Sequence, residues 1–186
     1  MSFPEYDSQI NKCREVFVKK THDYGTSWRV MRISSLIDQI FIKAQRIRSI
    51  EEKGEQKIGD SIESEYLGIV NYCILTLIQM DLGESFDDDI EAGKLFAMYD
   101  AKAAEAKALM EKKNHDYGEA WREMWISSLT DVILSKLLRI RQIITNKGKT
   151  LVSEGIDANL YDMINYGIFA MIKLQGTKDK GQGTKN

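Results

Sequence analysis

Two histidine-aspartate pairs are the residues of this sequence whose types and spacing best suit metal chemistry. His22 precedes Asp23 and His115 precedes Asp116, and Tyr-Gly follows each pair. Imidazole and carboxylate groups both bind metals, but a His-Asp dyad that hydrolyses phosphate esters needs a further histidine, and the chain has only two. Each pair therefore either joins a distant carboxylate in a metal site or is simply the shaped end of a helix.

Two further aspartates, Asp38 and Asp131, are the distant carboxylates that could complete such sites. They also fit a second interpretation, because Ser35 and Ser128 stand three residues earlier. Ser-x-x-Asp is a capping pattern that satisfies backbone donors at a helix start. Metal ligation and helix capping both stay open for these aspartates.

A third polar group lies near the C-terminus, where Glu154, Asp162 and Asn165 fall on one side of an amphipathic stretch. Two carboxylates and an amide on one helix face could bind a cation or act on a substrate, although an asparagine inside a bundle more often serves only as a hydrogen-bonding group. The matching stretch of the first half has Gly68 at the place of Asp162. We therefore expect any chemistry in the second half, and we expect Asp162→Asn to leave the fold intact.

Basic residues recur around the same motifs and suggest phosphate binding. Arginine forks and lysine ammonium groups are the usual phosphate-binding side chains. Their alternative role is a solvated cationic face neutralised by neighbouring glutamates. The candidates are Lys20, Arg29, Lys43 and Arg46 in the first half and Lys113, Arg122, Lys136 and Arg139 in the second. We expect residues 19–29 and 112–122 each to border a cleft that accepts an anion.

These recurrences belong to an internal duplication. Residues 21–50 and 114–143 share 18 of 30 positions at an offset of 93. Core packing alone would preserve only apolar character, whereas polar and charged identities survive here. The two copies therefore either form the same local structure or build the same kind of site.

Long segments with apolar residues at three-four spacing, and a single proline at position 4, predict an all-α fold. We predict six main helices, in two pseudo-symmetric three-helix repeats that form one helical bundle. The third helix is apolar almost all round and should be buried, with Asp60 as its cap. The predicted units are residues 1–84, residues 85–175 and a disordered tail at 176–186.

Composition narrows the function further. The net charge of −2 argues against direct nucleic-acid binding, so anion binding must come from local basic clusters. The longest apolar run, residues 66–80, is too short to span a membrane. Cys13 and Cys73 fall within predicted helices, which favours free thiols and a cytoplasmic location.

The combined motif resembles a known family. Lys-x-x-Asp-Tyr-Gly, then Trp-Arg, then Asp-x-x-x-x-Lys-x-x-Arg-Ile, then Asn-Tyr is similar to the nucleotide modification associated domain, first family, over residues 19–82 and 112–174. Members of that family look like distant relatives of the all-α nucleoside triphosphate pyrophosphohydrolases of MazG type. The resemblance implies a helical bundle that handles a nucleotide, with Mg²⁺ as cofactor. The sequence lacks the acidic Glu-Glu-x-x-Glu helix of those enzymes, and only Glu154 and Asp162 look like remnants of their carboxylates.

Two hypotheses follow from that resemblance. In the first, Asp131, Glu154 and Asp162 hold Mg²⁺ that activates water, while Lys136 and Arg139 neutralise the phosphates of a nucleoside triphosphate. In the second, the chain is a non-catalytic module that binds a nucleotide or another phosphorylated small molecule. The chain would be a monomer with an internal pseudo-dimer, or a homodimer.

Overall fold

The computed structural model describes residues 3–57, 59–86, 90–152 and 154–182, and its regular structure is entirely helical over these ranges. Two short 3₁₀ turns, at Ser27–Val30 and Ala120–Arg122, join the first helix of each repeat to the second. The six helices are α1 (Pro4–Tyr24), α2 (Ile33–Lys53), α3 (Ile62–Leu82), α4 (Ala92–Tyr117), α5 (Ile126–Thr145) and α6 (Ile156–Gln182). The predicted all-α fold of two three-helix repeats is confirmed.

The first helix of each repeat ends at a glycine. Gly25 has a φ of 62° and Gly118 a φ of 61°, a left-handed region that other residues enter at a cost. The sequence pattern predicts the first helix over about residues 6–20 and the fourth over about residues 90–113, but the His-Asp-Tyr residues before each glycine are still helical, so α1 and α4 extend about one turn further. None of these residue types breaks a helix, which is why the helix continues to the glycine.

The predicted cap of α3 is wrong, and of the two interpretations of Asp38 and Asp131 the structure does not support capping. Ser61, not Asp60, caps α3, and its hydroxyl accepts a hydrogen bond from the Ser64 backbone N–H at 3.1 Å. The helices α2 and α5 begin at Ile33 and Ile126, because the 3₁₀ turns lead almost directly into them. Ser35 and Ser128 therefore lie inside the first turn, and Asp38 and Asp131 cap nothing.

The C-terminal segment also differs from the expectation. Helix α6 continues to Gln182, so residues 176–182 of the predicted disordered tail are helical. Thr177 supports this extension, since its hydroxyl donates to the Lys173 and Leu174 carbonyl oxygens. Residues 183–186 lie outside the described residues.

The core is centred on α3 and α6, which pack against each other. Helix α3 is apolar on nearly all sides, so it is buried most economically when other helices surround it. Tyr66, Ile69, Ile74 and Ile78 of α3 are fully buried, as predicted for this helix. Helix α2 covers α3, α5 covers α6, and α2 and α5 also pack against each other.

An approximate two-fold axis relates the repeats, as predicted, because the same contacts occur twice with the repeats exchanged. The Tyr6 hydroxyl donates to Asn165 Oδ1 at 2.7 Å, and the Tyr99 hydroxyl donates to Asn71 Oδ1 at 2.7 Å. The Asn71 amide donates to the Cys13 carbonyl and the Asn165 amide to the corresponding carbonyl of Ala106. Both asparagines therefore join the two repeats inside the bundle.

Ion pairs on the surface repeat this exchange. Asp38 lies 2.7 Å from Arg141, and its counterpart Asp131 lies 3.5 Å from Arg48. Similarly, Arg14 pairs with Asp100 and Lys107 with Asp7, both at 2.6 Å. In the part of the chain that the structure describes, no helix is long and apolar enough to cross a membrane.

Candidate functional site

A buried carboxylate of the second repeat binds two lysines from two other helices. Lys113 Nζ, near the end of α4, lies 2.5 Å from Asp162 Oδ1. Lys136 Nζ of α5 lies 2.7 Å from Asp162 Oδ2. Asp162 projects from α6 and is only 7% exposed. The three groups together carry a net positive charge at the place where α4, α5 and α6 meet.

The two lysines differ in their exposure, which determines what each can contact. The side chain of Lys136 is 11% exposed and that of Lys113 is 47% exposed. Burial alone would lower the pKa of Lys113, but its hydrogen bond to Asp162 and the charge of that carboxylate outweigh burial and raise the pKa. Lys113 therefore stays protonated at neutral pH, with ammonium hydrogens available to a ligand.

A cleft of about 400 Å³ opens beside this charged group, and four of its lining residues are aromatic. Its wall includes Trp121, whose ring stacks on Phe169 with centroids 4.2 Å apart. Burial, and secondarily the charge of Asp162, raises the pKa of Tyr166. We call this the lysine cleft; it is lined by Met110, Lys113, Asn114, Tyr117, Gly118, Ala120, Trp121, Met124, Asp162, Asn165, Tyr166 and Phe169.

The first repeat arranges the matching residues differently. Lys43 and Arg46 both contact Glu65 of α3, at 3.3 and 2.6 Å, and Arg46 also donates to the Asp60 carbonyl. A Cβ atom added at Gly68 would lie 2.8 Å from Lys43 Cε. The Lys43 side chain thus crosses the space that Asp162 fills in the second repeat. Glu65, 7% exposed, is a partner that the repeated motif does not reveal because its counterpart is Asn159.

The two His-Asp pairs lie on the surface at the ends of α1 and α4. His115 Nδ1 is 3.0 Å from Asp116 Oδ1, with the side chains 86% and 73% exposed, and His22 and Asp23 are exposed as well. Over the ranges described, no group of three His, Cys, Asp or Glu residues could hold a metal ion. For these pairs the structure favours the helix-end interpretation.

The three carboxylates predicted to hold Mg²⁺ are not brought together. Asp131 pairs with Arg48 between α2 and α5. Glu154 lines a separate surface depression with Arg139. Both oxygens of Asp162 contact lysines. These residues do not fit a magnesium site, because each carboxylate faces a different cation or cavity.

Other predicted phosphate ligands are engaged within the protein. Arg29 is buried and donates to the Gln79 side chain and the Gly83 carbonyl. Its counterpart Arg122 turns outward to Glu119 and Glu5. Asn165 bonds Tyr6 and Ala106 as described above, whereas Lys20 is exposed.

The fold and the cleft define a class of protein: a duplicated helical bundle whose two copies have diverged at equivalent positions. The family model for nucleotide modification associated domain 1 matches residues 20–80 and 113–174, and the chain belongs to this family. The two matches coincide with the two structural repeats. No curated protein and no solved structure matches the chain. The likeness to MazG-type enzymes stays a prediction.

Proposed function

We propose that the chain is a non-catalytic module that binds a nucleotide or another phosphorylated small molecule in the lysine cleft of its second repeat. The observation that carries this proposal is the pairing of Lys113 and Lys136 with the single carboxylate of Asp162. Each ammonium group has three hydrogens and gives one to Asp162. Lys113 lines the cleft, so its other hydrogens can donate to phosphate oxygens, while the buried Lys136 adds positive charge beside it.

Burial of Lys136 makes this arrangement more useful than a pair of surface lysines. A charge in a partly dry site interacts more strongly with an anion, because less water screens it. Asp162 holds the Lys136 side chain in place before the ligand arrives, which reduces the cost of ordering it on binding.

The aromatic residues of the cleft support a ligand with a flat ring attached to its phosphates, and Trp121 and Phe169 extend this aromatic surface into a neighbouring cavity. Tyr117 is 75% exposed, and Tyr166 lines the same cleft. Aromatic side chains beside a basic group are the usual recognition elements for nucleobases and their phosphates. The sequence motif predicts the basic residues, whereas this wall comes partly from α6 and is recognised only after folding.

Two anion clefts were expected, and the proposal assigns binding to the second. In the first repeat, Lys43 and Arg46 share Glu65, and Gly68 provides no acceptor for Lys43. Phe17 of the first repeat stands at the position equivalent to Met110, and its ring stacks on that of Tyr99 with ring centroids 4.6 Å apart. An aromatic cluster thus lies where the second repeat has part of its cleft.

Calorimetric titration with nucleoside triphosphates and with tripolyphosphate tests the proposal. Lys113→Ala should weaken binding about tenfold, since it removes one charge-assisted hydrogen bond. Lys20→Ala changes the equivalent lysine of the first repeat and should leave the dissociation constant unchanged. Absence of binding by any phosphorylated ligand, or equal losses in both variants, would overturn the proposal.

The same samples test the hydrolase alternative. Incubation of nucleoside triphosphates with the protein and Mg²⁺ should release no pyrophosphate above a protein-free control. Release that depends on Mg²⁺ and disappears in Asp162→Asn would replace the binding module with an enzyme.

A further inference from the structure

A second cavity adjoins the lysine cleft on the other side of Trp121. It has a volume of about 720 Å³, and one wall is formed by Phe3 and the first turn of α1. We call it the N-terminal chamber; the residues it shares with the lysine cleft are Met110, Asn114, Gly118, Trp121 and Phe169. The two cavities are therefore neighbours, with these residues between them.

The chamber combines an apolar floor with carboxylates. Phe3, Phe169 and Ile172 supply apolar surface, while Glu5, Glu111 and Glu119 lie at its rim. Their charge is opposite to that of the lysines next door. A ligand that used both cavities would need an anionic part and an apolar part carrying N–H donors.

Only one of the three carboxylates is available to a ligand at both oxygens. Arg122 binds Glu119 with two nitrogens, at 2.9 and 3.1 Å, and contacts Glu5 at 2.6 Å. The Glu111 carboxylate makes no hydrogen bond or ion pair with any residue that the structure describes. A free carboxylate accepts two parallel N–H bonds from a planar donor.

Trp121 adds an unused donor to the same place. One face of its ring is covered by Phe169 at 4.2 Å, and the Arg122 guanidinium lies 4.4 Å from its centroid. The residue is 7% exposed, and its indole Nε1–H has no acceptor among residues 3–57, 59–86, 90–152 and 154–182. Buried donors of this kind are rare unless a ligand or water satisfies them.

The first repeat shows what the chamber becomes without a ligand to accommodate. The counterparts of Glu5, Glu111 and Glu119 there are Met98, Val18 and Thr26. The ring of Phe96, the counterpart of Phe3, packs edge to face against the rings of Phe17 and His22, with ring centroids 6.2 Å apart in each pair. The equivalent positions around the first repeat therefore carry none of these three carboxylates.

We propose that the N-terminal chamber receives the base of the nucleotide whose phosphates occupy the lysine cleft, and that Glu111 selects a guanine base. Guanine presents two adjacent N–H donors, at N1 and the 2-amino group, which match one carboxylate. Adenine, cytosine and uracil lack this pair of donors. This inference rests on the proposed function and adds the identity of the base.

Titration of the full chain with GTP, ITP, ATP and tripolyphosphate tests the proposal. ITP is the matched control, because its base is guanine without the 2-amino group. GTP should bind about tenfold more tightly than ITP, the effect of one hydrogen bond to a charged acceptor. In Glu111→Gln this preference should disappear, whereas the affinity for tripolyphosphate should not change.

Each proposal fails in its own way. Equal affinities for GTP, ITP and tripolyphosphate, or a guanine preference that survives in Glu111→Gln, would overturn the assignment of the base and leave the phosphate site standing. Absence of binding by all four compounds would overturn both. The variant Glu105→Gln, on the same helix but outside the chamber, should behave like the unchanged protein.

Discussion

The role of Asp162 in the structure differs from the role that the sequence predicts. In the sequence it looks like a metal ligand in an open cleft, whose replacement would spare the fold. In the structure it is 7% exposed and is the shared partner of two ammonium groups. Its first role is therefore to balance buried positive charge.

Asp162→Asn should destabilise the protein by about 2 kcal/mol, contrary to the expectation from sequence. Breaking one side of a buried ion pair leaves the partner charge unpaired, here that of Lys136, while the half-exposed Lys113 adds little because water screens it. Urea denaturation measures the change. Asp157→Asn, an exposed aspartate in the first turn of α6, is the control and should cost less than 0.5 kcal/mol. A loss no larger than in this control would show that the pair is not important for stability.

The cysteines provide a second residue-level prediction. Burial raises the pKa of Cys13 to about 12, and complete burial also raises the pKa of Cys73. Because the thiolate is the reactive form, both should react with a disulfide reagent at pH 8 only when the protein opens. The labelling rate should be slow in buffer and rise steeply in urea. Rapid labelling of either thiol in the native protein would contradict this.

Among the elements, the helices were predictable and most of their ends were not. Three-four spacing marks a helix wherever one face is buried, and α3 was predicted as the buried helix because it is apolar all round. Caps depend on one or two residues, so Asp60 and Ser61 cannot be distinguished by pattern alone. The extra turn of α1 and α4 was missed because His-Asp-Tyr carries no signal against helix.

The site shows the same limit more clearly. Motif recurrence identified the basic residues, but it could not show which of them would meet a carboxylate. Arg29 and Arg122 stand in identical Trp-Arg pairs, yet Arg29 is buried on Gln79 and Arg122 points outward to Glu119. The partner that decides between these positions lies in another part of the chain, beyond the reach of a local pattern.

The start of α3 offers a direct test at this scale. Ser61→Ala should destabilise the protein by about 1 kcal/mol, since it removes the side-chain acceptor for the Ser64 N–H. Asp60→Ala should destabilise the protein by only a few tenths of about 1 kcal/mol, because the Asp60 side chain is not the cap. Equilibrium unfolding of the two variants gives the comparison. A larger loss for Asp60→Ala would restore the cap predicted from the sequence.

For the whole molecule, the pseudo-two-fold axis predicts that equivalent substitutions in the two repeats lower the free energy of unfolding by similar amounts. Tyr6→Phe and Tyr99→Phe should each cost about 1 to 2 kcal/mol, because each leaves a buried asparagine oxygen without its tyrosine donor. The two losses should be similar, because the same hydrogen bond is removed in each repeat. Unfolding curves of the three proteins measure this, with Tyr24→Phe, at an exposed tyrosine, as control. A loss of stability at only one of the two positions would show that the two hydrogen bonds do not contribute equally to stability.

The duplication has a consequence for how the two halves can change. In a dimer of identical subunits, every substitution appears at both sites, so a residue that improves one site must be tolerated by the other. A fused pair is free of this constraint, and the positions of Asp162 and Gly68 show the result: Asp162 binds two lysines in one half, whereas the Lys43 side chain crosses the equivalent space in the other. The first repeat then supports the second, because the Tyr6 hydroxyl holds Asn165 in position beside the lysine cleft. Duplication within one chain thus allows one repeat to bind a ligand and the other to serve as structural support, which two identical subunits could not do.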